Sequence, residues 1–255
     1  DITAIIELLQ YAIENDDEEA VLKYADEALM FLPQHLELYF YKGFSHYLLG
    51  NKKESIDIYK EGLAKRSSDT DPDVVAAVFT TLGDTYHELD MVKECYAAYD
   101  SALVYDPYRL DVLNNYSYYL SLEEKELQKA LEMSHRTITT EPDNQTYLDT
   151  YAWILFKLGR YEEAKAYAEK IISLDEEISP VVFHHIGDIF AKCGNIENAV
   201  VYWNKALEAG SWIPAVKRIF FPSGVNVQGV SFAEWVVILL GSPPSRETVK
   251  MSKFP

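Results

Sequence analysis

The hydrophobic and polar positions of this chain alternate with a helical period. In the stretch that follows Asn51, Ile56, Tyr59 and Leu63 recur at spacings of three and four among charged residues, which places them on one face of a helix. A longer period is superimposed on this one. Small residues recur at intervals of 40, 34, 35 and 35, at Gly43, Gly83, Ser117, Ala152 and Gly187. A nearly fixed period of this length is typical of an array of helical repeats.

One copy of the repeat carries a recognisable motif. Its residues are Leu82-Gly83, Tyr86, Cys95, Tyr99, Ala102 and Pro107. In type and spacing this copy resembles the tetratricopeptide repeat family, with Cys95 in a slot where the family has a small residue. The resemblance implies an all-α fold, in which about six antiparallel helix pairs form a right-handed superhelix (a solenoid) that is followed by a non-repeat C-terminal tail.

The repeat pattern predicts one array over residues 1–213, with units at about 2–35, 36–69, 76–109, 110–144, 145–179 and 180–213. The polar stretch from Arg66 to Asp71 accounts for the 40-residue interval, and we interpret it as a lengthened loop. The fifth unit is the closest to the family consensus. Its run from Leu148 to Ala164 further resembles tetratricopeptide proteins of the bacterial cell envelope, including lipoproteins. That resemblance favours a periplasmic or outer-membrane-associated location over a cytoplasmic one.

The tail, residues 214–255, departs from the repeat pattern. Ser231 and Glu234 form a capping box that predicts a helix near 232–240. Because this helix is apolar nearly all round, it needs a cover. The tail has a net charge of +3 and the array one of −21. We therefore expect the tail to dock on acidic surface, either at the end of its own array or in the groove of a second copy, which would give a homodimer.

Charge and cysteine content exclude several classes of function. The formal net charge of −18 argues against nucleic acid and against anionic membrane surfaces as partners. The longest apolar run, Trp235 to Leu240, is far too short to span a bilayer. Cys95 and Cys193 fall in different repeats, and repeats contact only their neighbours, so we expect both thiols to be unpaired.

The resemblance implies that the first helices of the repeats line a concave groove. A register taken from the small residues predicts the inward positions, and the candidate peptide-binding residues are Tyr41, Phe44, Asp84, His87, Asn114, Asn115, Tyr118, Asp149, Trp153, Phe156, His184 and Asp188. Unpaired amides and carboxylates on a helix are tolerated where they face water or a ligand, so Asn114, Asn115 and Asp149 are expected to be accessible. Trp153 is expected to be an aromatic anchor beside them. The alternative for the aromatic residues is packing between neighbouring helices.

Three other kinds of site are disfavoured. The clamp with which some tetratricopeptide domains bind the acidic tails of chaperones needs Lys and Arg where this chain has Thr80, Asp84, Asp149 and Asp188. His184 and Asp188 share a helix face, but the adjacent His185 points about 100 degrees away, so no metal site is expected. The sequence also contains no Gly-rich phosphate loop and no nucleophile elbow. We expect no catalytic residues and no cofactor.

The sequence therefore favours a scaffold or adaptor that binds a peptide or protein partner in its groove. The acidic and aromatic character of the groove predicts a partner segment that is basic or amphipathic. The alternative is a self-association module that holds an oligomer together. An enzyme is disfavoured.

Overall fold

A computed structural model describes residues 1–174 and 177–210. The predicted tail helix and its docking lie outside these residues. Within them the secondary structure is entirely helical: α1 (Ile2–Glu14), α2 (Glu18–Leu29), α3 (Leu36–Leu48), α4 (Lys52–Lys65), α5 (Pro72–Glu88), α6 (Val92–Tyr105), α7 (Leu110–Leu122), α8 (Leu127–Thr140), α9 (Gln145–Lys157), α10 (Tyr161–Ser173), α11 (Pro180–Lys192) and α12 (Ile196–Glu208).

The helices form two compact units. Unit 1 is Asp1–Thr140 and contains α1 to α8, whereas unit 2 begins at Glu141 and contains α9 to α12. In both units consecutive helices pack as hairpins, and each hairpin also contacts the next one within its unit. We call the odd-numbered helices the first helices of their hairpins. In unit 1 the first helices α1, α3 and α5 are neighbours, and in unit 2 so are α9 and α11.

Local sequence signals explain where the helices begin and end. Asp17 and Ser179 accept hydrogen bonds from backbone amides at the starts of α2 and α11, as N-cap residues do. Within the hairpin turns, Gly50 and Gly159 have φ angles of 80° and 77°, a left-handed conformation that glycine adopts without strain. These signals fix short turns, and short turns make the paired helices antiparallel neighbours.

The 40-residue interval has the expected origin only in part. Residues 66–71 do connect α4 to α5, but they are no more numerous than residues 30–35, which connect α2 to α3. Instead, α5 begins at Pro72, where Asp71 caps it and Pro occupies the first turn, and it is 17 residues long. The first helices α3, α7, α9 and α11 each have 13 residues. Of the six residues by which this interval exceeds the next one, four therefore form an additional helical turn, and two lengthen the connection relative to residues 106–109.

The core lies between the two helices of each hairpin, at the small residues that revealed the repeat. Ser117 and Ala152 are fully buried. Gly43, Gly83 and Gly187 each lie directly under an aromatic ring sixteen positions later, from Tyr59, Tyr99 and Trp203. These close approaches fix the distance between the helices of a pair.

Both cysteines are free thiols. Cys95 is buried in the core of unit 1, whereas Cys193 is half-buried at the C-terminal end of α11, where its Sγ lies 3.3 Å from the backbone carbonyl oxygen of Tyr161. Cys193 therefore occupies a helix end, whereas Cys95 occupies an interior position.

Candidate functional site

A repeated register places the candidate residues on the first helices. The residue after each small residue is Phe44, Asp84 or Tyr118 in unit 1, and Trp153 or Asp188 in unit 2. The residue two positions before the small one is Asn115 in α7 and His185 in α11. Residues at these two positions contact each other across successive first helices. Asn115 contacts Asp84, and His185 contacts Trp153. The same pair of positions therefore makes the contact in each unit.

Asp84 is held in place by neutral partners. Its Oδ1 accepts hydrogen bonds from the hydroxyl of Tyr99 and, at 3.3 Å, from Nδ2 of Asn115. Burial raises the pKa of Asp84 above its usual value, although these two hydrogen bonds oppose the shift. Burial and the nearby Asp84 charge raise the pKa of Tyr99 in turn. The result is a fixed, half-buried carboxylate between α5, α6 and α7.

An aromatic stack lies next to this carboxylate on α3. The rings of Phe40, Phe44 and Tyr47 follow one another with centroids 6.1 and 6.2 Å apart and nearly parallel planes. The hydroxyl of Tyr47 donates to Glu88 Oε1 at 2.5 Å, and this bond, with burial and the charge of Glu88, raises the pKa of Tyr47 to about 12. Glu88 also pairs with Lys52 Nζ at 2.6 Å. Tyr47 therefore links α3 to α5.

Two further candidates flank the same region. The His87 ring stacks on Tyr119, with centroids 3.5 Å apart and planes within 4°. Tyr118, the next residue along α7, is half-buried. We call the surface formed by Phe44, Tyr47, Asp84, Glu88, Asn115 and Tyr118 the unit 1 face. It combines two carboxylates and an amide with aromatic rings on both sides.

Two of the candidate residues in unit 1, Tyr41 and Asn114, contact the core of the unit. Tyr41 packs against the apolar cluster of the first hairpin, which contains Leu9 and Val21, so it serves inter-repeat packing as the alternative reading allowed. Asn114 is only 6% exposed, contrary to the expected accessibility. It lies three residues before Ser117, on the helix face that meets the core. Its Nδ2 donates to Asn115 Oδ1 at 3.3 Å, and its own Oδ1 is buried without a hydrogen-bond partner.

In unit 2 the expected accessibility is wrong for Asp149 and Trp153, which are 6% and 7% exposed. The reason is the neighbouring helix α11. His185 Nδ1 lies 2.8 Å from Asp149 Oδ2, and the His185 ring stacks on Trp153 with centroids 4.0 Å apart. Phe156 covers Trp153 at 4.8 Å. Trp153 therefore packs between helices, and its Nε1 is buried without a hydrogen-bond partner.

His184 and Asp188 share the outer side of α11. His184 Nε2 lies 3.7 Å from Asp188 Oδ2, and Asp188 Oδ1 accepts a 2.9 Å hydrogen bond from Trp203 Nε1. Asp188 thus has the same role in unit 2 as Asp84 in unit 1, because each carboxylate holds the aromatic ring that covers the glycine before it. Over residues 1–174 and 177–210, no group of three or more His, Cys, Asp or Glu side chains is arranged to hold a metal ion.

Sequence reasoning missed three residues of the site: Tyr99, Tyr119 and Glu88. A signal existed for the first, since Tyr99 follows Gly83 by the same sixteen residues that separate Tyr59 from Gly43 and Trp203 from Gly187. Tyr119 and Glu88 make their contacts with residues of a neighbouring repeat, His87 and Tyr47. The spacing within one repeat does not reveal such contacts.

Comparison with known proteins decides the family. A model of the tetratricopeptide repeat family matches residues 146–178 and 181–209, within unit 2. The structure of PilW, a type IV pilus biogenesis factor, is similar over 86% of this chain and 98% of its own, at 16% identity and a TM-score of 0.67. Unit 2 of the chain therefore contains tetratricopeptide repeats. The fold of the chain is the all-α solenoid of that family.

Two further tetratricopeptide structures show the same fold. YrrB covers 73% of this chain and 92% of its own, at 18% identity and a TM-score of 0.59. PilF of Pseudomonas aeruginosa covers 77% and 86%, at 20% identity and a TM-score of 0.58. No curated protein sequence matches the chain significantly. Tetratricopeptide repeats generally form non-enzymatic scaffolds, so the fold supports a general role in protein interaction. Among the described helices none is long and apolar enough to cross a membrane.

Proposed function

We propose that this protein is a non-enzymatic scaffold whose unit 1 face binds a basic segment of a protein partner. The observation that carries the proposal is Asp84, a half-buried carboxylate whose hydrogen-bond partners, Tyr99 and Asn115, are both neutral. Neutral partners leave its negative charge uncompensated by direct contact. A Lys or Arg side chain of a partner would supply that compensation.

The surroundings of Asp84 fit an amphipathic partner segment. Phe44 and Tyr118 flank the carboxylate in the same register on α3 and α7, and both are half-buried, so part of each ring remains available for an apolar side chain. The Asn115 amide lies beside the Asp84 carboxylate and can also bond to a peptide backbone. A fixed charge beside rigid aromatic surface is the usual composition of a protein-binding hot spot.

The charge of the whole chain supports the same class of partner. A net charge of −18 favours encounter with basic segments and disfavours acidic ones. YrrB is described as a tetratricopeptide protein with an unusual peptide-binding site, and PilW as a type IV pilus biogenesis factor. Peptide binding therefore occurs on this fold, and the acidic face of this chain favours a basic peptide.

The test is a titration of the full chain with a basic amphipathic peptide and an acidic peptide of equal length. We expect preference for the basic peptide and weaker binding at higher salt, because salt screens the charges. Asp84→Asn should weaken binding by about tenfold, or 1.4 kcal/mol. The control is Asp57→Asn, which removes the same charge from an exposed position of α4. Equal affinity for the two peptides, or equal effects of the two variants, would contradict the proposal.

We further propose a location in the bacterial cell envelope. The proposal rests on the resemblance of residues 148–164 to envelope tetratricopeptide proteins. Fractionation of the source cells with an antibody against the full chain tests it, and recovery in the cytoplasmic fraction alone would refute it.

A further inference from the structure

A cavity of about 160 Å³ lies in unit 1, between α5, α6 and α7 and beside the unit 1 face. Its lining includes His87, Asp90, Cys95, Tyr96, Tyr119 and Glu123. A single buried water needs only about 10–15 Å³ of such space, so this cavity is large enough to hold a side chain. Asp90 is exposed at its edge, whereas Cys95 is fully buried. The cavity therefore leads from the surface to the core of the unit.

Aromatic rings form the walls of this cavity. His87 and Tyr119 are stacked in parallel at 3.5 Å, and Tyr96 is stacked on Tyr116 at 5.0 Å, so neither pair is free to collapse into the space. The face of an aromatic ring attracts a cation within about 6 Å of its centroid. The Tyr96 hydroxyl oxygen is buried and lies near the Glu123 carboxylate, so the two groups can accept hydrogen bonds from the same entering donor.

Two carboxylates, those of Asp90 and Glu123, are among the groups that line the cavity. Burial raises the pKa of Cys95 to about 12, with further contributions from the charges of Asp84 and Glu123. Burial and the charge of Glu123 also raise the pKa of Tyr96. Glu123 already has one cationic neighbour, Lys125, whose Nζ lies 2.7 Å from Glu123 Oε2. The Lys125 side chain is 67% exposed. Because the lysine end of this pair is in solvent, an entering cation can compete with Lys125 for the carboxylate.

We propose that this cavity binds the side chain of a lysine residue from the partner protein. The Tyr96 ring and the edge of the Tyr119 ring contact the aliphatic stem, and the Glu123 carboxylate and Tyr96 hydroxyl accept from the ammonium. A lysine fits better than an arginine, because a compact ammonium with three donors suits an enclosed space and a planar fork does not. The inference rests on the proposed function for the class of partner, and it assigns a second subsite beside Asp84.

The experiment uses the full chain and small probes, so that it does not depend on the natural partner. The probe is Nα-acetyl-lysine methylamide, and the matched neutral probe carries an acetyl group on Nε as well. We expect NMR signals of His87, Tyr96 and Tyr119 to shift with the first probe and not with the second. Alkylation of Cys95 should slow in the presence of the lysine probe, while that of Cys193, in unit 2, serves as the internal reference.

Two variants locate the effect. Glu123→Gln should weaken binding of the lysine probe at least about fivefold, and Tyr96→Phe should weaken it less, because the ring remains. Glu132→Gln, which removes one charge from an exposed position of α8, should leave it unchanged. Circular dichroism and thermal melts confirm that each variant folds.

The inference is overturned if both probes bind alike, or if Glu123→Gln and Glu132→Gln behave alike. A distinct result separates it from the proposed function. If the basic peptide still binds in an Asp84-dependent way while the lysine probe leaves the cavity signals unchanged, the cavity assignment is wrong and the scaffold proposal stands.

Discussion

The ring of Tyr59 lies so close to Gly43 that a Cβ atom at residue 43 would come within 2.4 Å of its Cε1. Tyr59 is fully buried, so its ring has no open space into which to move. Gly83 with Tyr99 and Gly187 with Trp203 repeat this contact. The two helices of each of these pairs can therefore approach closely only because glycine has no side chain.

Gly43→Ala should destabilise unit 1 by about 1–3 kcal/mol, as overpacking does. The gain in helix propensity, about 1 kcal/mol, offsets only part of this cost. Urea unfolding of the full chain measures the change. The double variant Gly43→Ala/Tyr59→Leu is the control, because the smaller side chain makes room for the methyl group. A single variant as stable as the wild type would show that the helices can separate without cost.

Trp153→Ala should lower the free energy of unfolding by about 3–5 kcal/mol, the range for a core aromatic residue. Its ring is covered by His185 and Phe156, and its exposed fraction is 7%. Tyr118→Ala is the matched variant, since Tyr118 occupies the same position after the small residue but is half-buried. We expect Tyr118→Ala to cost about 1–2 kcal/mol and to weaken binding of the basic peptide. Similar melting curves for the two variants would contradict this assignment.

The stability of Asp84→Asn relative to the wild type should depend on pH. Because burial raises the pKa of Asp84, the folded chain holds this proton more tightly than the unfolded chain does. The carboxyl therefore contributes stability below its ordinary pKa of 3.8, and the contribution is lost as the pH rises through the raised value. Asn does not titrate, so the advantage of the variant should grow as the pH rises above the ordinary pKa of the carboxyl.

Urea unfolding at several pH values measures this difference. Asp57→Asn again serves as the control, since it reports the effect of removing one surface charge. A variant of Asp84 that gains stability at neutral pH and loses affinity for the basic peptide would show that this carboxylate is kept for binding at a cost in stability. A difference that falls with pH would contradict the sign of the shift.

The two thiols should react at very different rates in the native protein. Burial raises the pKa of Cys95 to about 12, so little thiolate forms near pH 8 and this thiol reacts slowly. Burial also raises the pKa of Cys193, but this thiol is half-buried at a helix end. Titration with a disulfide reagent should give one faster thiol in the native chain and two after denaturation. A count of zero after denaturation would show a disulfide.

Much of the fold follows from the sequence by itself. The helical spacing, the recurrence of Gly43, Gly83, Ser117, Ala152 and Gly187, and the glycines of the hairpin turns together predict antiparallel helix pairs in the correct places. Local periodicity decides these features, because each depends on residues within one repeat. The same register also placed Asp84 and Asn115 correctly as neighbours of a shared surface.

Only the tertiary structure decided which of the candidate residues remain accessible. Tyr118 and Trp153 occupy the same position in their repeats, yet Trp153 is buried because His185 of the next first helix stacks on it. Asn114 and Asp149 are buried for a related reason, since they share a helix face with the small residue that meets the core. Burial depends on side chains that come from other repeats, whereas the periodicity of a sequence describes one repeat at a time. The division after Thr140 is likewise a property of packing, because the spacing of the small residues continues through it unchanged.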